Sequence, residues 1–322
     1  MSAARSRRAH RPRSRPIRRS SPPIWAEETA VTQADLVLQS LVSGLGIGCV
    51  YGLIGIGFCV IYNASGIVNF AQGAFVMLGG MITHVLLVRY HVPYALAALV
   101  AVIAVAAVGV VLERLVVRPL WMRKAPVFVM ILATLAAQIV IERVTFLLVD
   151  DQPKTLPVFL DWPPIMIGRV AINYQSLFII AGSLTIVGAL ALFFKVTLTG
   201  KAMRACAIDR EAALLQAIPV STMLALAFAL SAGLGAVAGI LLTPTQYTAF
   251  NVGVPFAISG FIAAIIGGFG RPFGAFVGGL ALGLVQSIAI LWLGAGLKSA
   301  AALSVLLLFL FVRPAGIFGA AK

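Results

Sequence analysis

Acidic side chains are scarce in this sequence. Asp and Glu together number 10 among 322 residues, and charged residues of both signs make up only 11%. With 61% hydrophobic residues and a mean hydropathy of +1.05, that is too little polar material to cover a water-soluble domain. The apolar runs do not alternate with polar residues, which excludes a transmembrane β-barrel. Three cysteines, Cys49, Cys59 and Cys206, have neither metal-ligand nor disulfide spacing and read as small packing residues. Catalytic signatures are also missing. The Gly-Lys pair in "TLTGKAMR" is followed by Ala202 where a phosphate-binding loop needs Ser or Thr, and Lys195 stands in place of its first Gly. There is no H-E-x-x-H, no G-x-S-x-G and no pair of catalytic carboxylates in one span, so an enzyme is not expected.

What remains is a polytopic, all-α membrane helical bundle. Apolar runs lie at about 36–62, 66–88, 93–117, 126–149, 171–194, 219–243, 255–269, 272–293 and 299–312, several of them near the ~20 residues that a spanning helix needs. The net charge of +14 does not point to nucleic acid. Eight arginines and no acids fall in residues 1–20, leaving +6 elsewhere, mostly in short loops. Arg118, Arg123, Lys124, Lys195, Lys201, Arg204 and Arg210 place 118–124 and 195–219 in the cytoplasm. The acidic, Pro-rich 150–164 ("DDQPKTLPVFLDWPP"), with Trp162 suited to an interface, goes to the opposite side, and Arg271, Arg313 and Lys322 fall inside again. Residues 1–34 read as a disordered, Arg-rich extension, and 35–319 as the transmembrane domain. Binding to anionic lipid would suit the extension; so would a tail without a role, or a start codon set upstream of the true one. Nine runs would separate the two chain ends. The Gly-rich run 36–62 is therefore expected to break into two short or re-entrant helices, giving an even number among eight to ten, with both ends cytoplasmic.

Many of the 31 glycines recur at four-residue spacing, as in Gly44, Gly48 and Gly52 or Gly279 and Gly283. In lipid such spacing lets helix backbones approach closely. "GAFV" occurs at both 73–76 and 274–277, a hint of an internal repeat too short to weigh much. Glu113 with Arg114 and Glu142 with Arg143 lie near the ends of their runs, where they can pair or reach water. Buried mid-membrane carboxylates of the kind that ion-driven carriers use are not evident.

One charged, helix-forming island interrupts this apolar chain: "GKAMRACAIDREAALLQAIPVS", 200–221. Its Ala, Leu, Arg and Glu predict a helix over about 200–208 and a second one N-capped by Asp209. Leu214, Leu215 and Ile218 are expected on one face, Arg210 and Glu211 on the other. Such a pair suits docking to another protein, or resting on the lipid surface. For a solute path, Asn69 and Gln72 in "NFAQG", beside Gly73, are the polar candidates. Asn69 either satisfies backbone groups at a helix break or touches the solute.

The island resembles the cytoplasmic coupling loop of ATP-binding-cassette importer permeases. More closely, it is similar to the G-x-A-x-R-A-x-A-x-D-x-x-A-A-x-L-x-G-I stretch of the branched-chain amino acid permease family. Gly200, Ala202, Arg204, Ala205, Ala207, Asp209, Ala212, Ala213, Leu215 and Ile218 match, and Ala217 stands where Gly is usual. "GIVNFAQGAFVMLGG" (66–80), "ERLVVRPL" (113–120), "IIGGFGRPFGAFVGGLALGLVQ" (265–286) and "VRPAGIFG" (312–319) extend the resemblance over about 35–319, to the smaller, LivH-like subunit. The resemblance implies an inner-membrane permease for branched-chain amino acids or related small solutes. Its partners would be a LivM-like second permease, two cytoplasmic ATPase subunits and a periplasmic solute-binding protein. ATP and Mg would be bound by those partners, with no cofactor in this chain. Gly200, Arg204, Ala205, Asp209, Glu211 and Leu215 would then couple to the ATPase, and Asn69, Gln72 and Gly73 would border the path. The competing reading is a secondary carrier or facilitator for small amino acids or amides, with the island lying idle on the membrane.

Overall fold

The computed structural model describes residues 33–159, 162–167, 170–313 and 315–319. In chain order, α1 (Gln33–Ser65), α2 (Gln72–Val88) and α3 (Tyr94–Leu112) come first. A π-helical turn, Glu113–Val117, joins α3 to α4 (Arg118–Met122), and α5 (Val127–Val149) follows. A small hairpin of β1 (Ile165–Ile167) and β2 (Val170–Ile172) pairs Met166 with Ala171. Then come α6 (Tyr174–Val196), α7 (Leu198–Ile208), α8 (Arg210–Leu215), α9 (Val220–Leu242), α10 (Gly253–Gly267), α11 (Pro272–Leu293) and α12 (Lys298–Val312). Among the described residues, seven helical segments are long and apolar enough to cross a membrane, and α2 and α10 are shorter apolar helices. The chain is a multi-pass, all-α membrane bundle.

α1 forms the core, with α9, α10 and α11 packed around it. Its antiparallel seam with α11 is the glycine-spaced one: a methyl at Gly48 would lie 2.9 Å from the Gly279 carbonyl oxygen, so the backbones touch directly. α5, α6 and α12 keep most of their apolar surface exposed, as helices facing hydrocarbon do.

The contacts fix the direction of each helix and expose an inverted repeat. α1 runs towards the island face, and residues 66–71 turn back into the bundle. α2 then starts beside Gly57 of α1, about 12 Å from that helix's end. α3 returns to the island face, and α5 leaves it. In the second half every direction is reversed. α9 runs away from the island, 243–252 turns back inward, α10 starts inside the bundle, α11 leaves the island face and α12 returns to it. The two inner helices meet at their starts: a methyl on Gly73 would sit 2.5 Å from the Gly253 carbonyl oxygen, and one on Gly253 would sit 2.5 Å from that of Gly73.

Several expectations change. The run 36–62 is unbroken within α1; the break comes just after it, at 66–71, because its glycines, four of them (Gly44, Gly48, Gly52 and Gly55) close against neighbouring backbones, do not weaken a helix that tertiary contact holds. Gln33 and Arg313 consequently lie on opposite faces, not the same one. Of the expected extension over 1–34, residues 1–32 lie outside the described residues, and 33–34 belong to α1. The "GAFV" pair does not mark the repeat: its copies open α2 and α11, whereas the counterpart of α2 is α10. Neither Glu113 nor Glu142 forms an ion pair among the described residues. Glu113 is fully buried in the π-helical turn with both oxygens unpartnered, while Glu142 accepts from Gln138 Nε2 at 2.6 Å.

Candidate functional site

Two places combine unusual chemistry with precise geometry: the island and the break. At the island, Thr197 N-caps α7, its hydroxyl accepting from Gly200 N at 3.0 Å. Gly200 is buried in a tight corner, where a methyl would lie 2.5 Å from the Phe193 carbonyl oxygen. α7 is thereby fixed against the end of α6. Asp209 then ends α7 and caps α8, its Oδ1 accepting from Glu211 N at 2.9 Å and Ala212 N at 3.0 Å. Ala217 closes α8 in the left-handed region, φ 58°, with Ile218 N donating to Ala213 O at 3.1 Å.

Met203, Cys206 and Ala213 face the bundle, and Ala205 is half-buried. Arg204 borders a cavity of about 240 Å³ between α1, α6 and α7, which also touches Asn63 and Phe194. Asp209 and Glu211 face outward with Lys201 and Arg204. So do three large aliphatic residues, Leu198 at 83%, Ile208 at 88% and Leu215 at 88% exposure. The expected division of α8 is only partly realised. Leu214 and Leu215 do point away from the bundle, but Ile218 is half-buried. Arg210 turns inward, its guanidinium 6.0 Å from the Trp121 ring centroid, because that ring offers the cation a favourable face.

At the break, Asn69, Gln72 and Gly73 are fully buried. Three backbone N–H groups at the turn find side-chain acceptors. Asn69 Oδ1 accepts from Ala71 N at 3.1 Å, Thr134 Oγ1 from Phe70 N at 3.2 Å, and Gln138 Oε1 from Ala74 N at 2.7 Å. The Gln72 amide locks onto α9: Ser231 Oγ lies 2.7 Å from Gln72 Oε1 and also donates to the Gly57 carbonyl at 2.9 Å. Asn69 Nδ2 has no partner. Thr134, Gln138, Ser231 and Gly253 were not anticipated. A glutamine in the middle of the apolar run 126–149 was the available signal, since a polar group in hydrocarbon needs a partner.

The description "Branched-chain amino acid transport system / permease component" belongs to a family whose model matches residues 40–312. The chain belongs to this family. Among its relatives, the "High-affinity branched-chain amino acid transport system permease protein BraD" of Pseudomonas aeruginosa is 32% identical over 88% of this chain and 95% of its own. The corresponding LivH protein of Escherichia coli is 28% identical with the same coverage. A probable LivH of Methanocaldococcus jannaschii is 27% identical over 83% of this chain and 88% of its own. Among solved structures, one titled "PsaBC from Streptococcus pneumoniae in complex with Fab" aligns with a TM-score of 0.51 at 11% identity, over 88% of this chain and 94% of that one. That likeness is one of fold. The family is one of transport components and not of enzymes, and this permease presents the break and the island as its two elaborated regions. Among the described residues no cluster of metal-ligating side chains occurs.

Proposed function

We propose that the permease carries branched-chain amino acids or related small solutes across the inner membrane, as one of two spanning subunits of an ATP-driven importer. Its partners are a LivM-like permease, two cytoplasmic ATPase subunits and a periplasmic solute-binding protein, and ATP and Mg are bound by the ATPases. The observation that carries the reading is the island's construction. Two capped helices, seated on the end of α6, present exposed Leu198, Ile208 and Leu215 beside Arg204, Asp209 and Glu211. Aliphatic side chains this exposed mark a contact with protein or lipid, the charges of both signs interspersed with them suit a protein partner, and the buried Gly200 corner lets a push on α7 reach α6 without slack.

The break then serves as the moving part of the path. Asn69, Gln72 and Gly73 hold the start of α2 against α9 and α10, so displacement of either half opens or closes the space above and below them. The test is the double substitution Arg204→Asp with Leu215→Asp in the assembled importer. ATP-driven leucine uptake should fall at least about tenfold, the loss expected when two interface contacts worth ~1.4 kcal/mol together are removed, while the chain stays in the membrane. Unchanged uptake would remove the docking role.

A further inference from the structure

The face opposite the island holds a polar cavity separate from the break. It occupies about 190 Å³ between α1, α10, α11 and the start of α12. The buried Tyr51 hydroxyl of α1 donates to Gln286 Oε1 of α11 at 2.9 Å. This bond occupies the acceptor end of the amide and leaves the Nε2 donors as what Gln286 offers. Ser259 of α10 lies beside the phenol, Phe256 supplies an apolar wall, and Gln246 and Lys298 close the remaining side. No acidic residue lines the space, and Lys298 has no ion pair among the described residues. Lys298 is half-buried at the positive, N-terminal end of α12, so an ammonium group and the helix dipole together favour an anion in the space beside them. The cavity also lies on the side from which an imported solute arrives. Thr248, two residues beyond Gln246, is bridged to Lys154 in the acidic outer segment.

We propose that this cavity receives the carboxylate of the transported solute on Lys298, with the Gln286 amide as a second donor and Phe256 against an aliphatic side chain. The inference rests on the importer reading and deepens it, since it selects carboxylate-bearing solutes over their neutral amides. A lipid phosphate would satisfy the same donors, and the experiment separates the two sources.

Ser299, which also lines the cavity, is a reporter that leaves Lys298 intact. The complete importer carrying Ser299→Cys is placed in phosphatidylcholine nanodiscs and labelled with a methanethiosulfonate reagent. The native cysteines are buried, so the unsubstituted complex supplies the background. Leucine at about four times its dissociation constant should slow labelling about fivefold, and leucinamide should not. Protection should vanish when Lys298→Met is added and survive Lys298→Arg. Equal protection by leucinamide, or none at saturating leucine, overturns the proposal. So does slowing by phosphatidylglycerol with no effect of leucine, which would assign the cavity to a lipid headgroup. Supplying ATP and the binding protein to the same preparation tests the importer reading separately. Uptake without protection rejects the cavity alone, whereas protection without uptake rejects the importer reading and leaves the binding site standing.

Discussion

Ala217 is one position where a side chain works against its backbone. It adopts φ 58° at the end of α8, a conformation that costs an L-residue roughly 1–2 kcal/mol. Ala217→Gly should therefore raise stability by about 1 kcal/mol, seen as a higher unfolding temperature of the purified permease. Gly73 is the opposite case. A methyl there meets the Gly253 carbonyl oxygen, backbone that cannot rotate away. Gly73→Ala should lower both the yield of folded protein and uptake, whereas Gly188→Ala, with nothing within 4 Å of the added methyl, should change neither. Cys206 offers a chemical check on how the island is seated. Burial pushes its thiol above the ordinary value despite nearby Arg210, which disfavours the reactive thiolate. Its alkylation at pH 8 should be slow, and should speed up when denaturant releases α7.

Among the elements, α7 was legible to within about two residues and the start of α8 to the residue. Asp209 and the Ala-rich composition are local signals, and caps act locally; the Thr197 cap emerges only from the structure. The facing of α8 was less legible, because Arg210 turns towards Trp121, a residue 89 positions away that no helical wheel includes. The cap itself is testable. Asp209→Ala should cost α8 about 1 kcal/mol and weaken uptake, whereas Asp209→Asn, which keeps the acceptor oxygen, should retain most of both. If Asn fails as badly as Ala, the carboxylate's charge, and not the cap, carries the role. The long helices α5, α9 and α11 were also readable to within about two residues of their ends, since uninterrupted hydropathy needs no tertiary information. The break was visible as "NFAQG", but the partners that satisfy it, Thr134, Gln138 and Ser231, come from helices distant in sequence.

For the whole molecule, the inverted arrangement of the two halves was not legible. Its trace in the sequence is thin: Gly73 and Gly253, like Gly80 and Gly260, stand 180 positions apart, among 31 glycines that give many chance coincidences. Reversal in space leaves no hydropathy signature, because a span reads alike in either direction. The sidedness that follows is open to measurement. In vesicles of one orientation, Gln33→Cys and Arg313→Cys should react with a membrane-impermeant thiol reagent from opposite sides. Reaction of both from one side would require α1 to be broken after all.

The mutual contact of Gly73 and Gly253 also limits how such a protein can change over generations. Where two side chains touch, a larger residue on one helix can be balanced by a smaller one on the other. Here each glycine abuts the other's carbonyl, and no smaller residue exists to compensate. The two positions are therefore tied to glycine jointly, and a lineage that loses one must re-space the two halves of the molecule before it can lose the other.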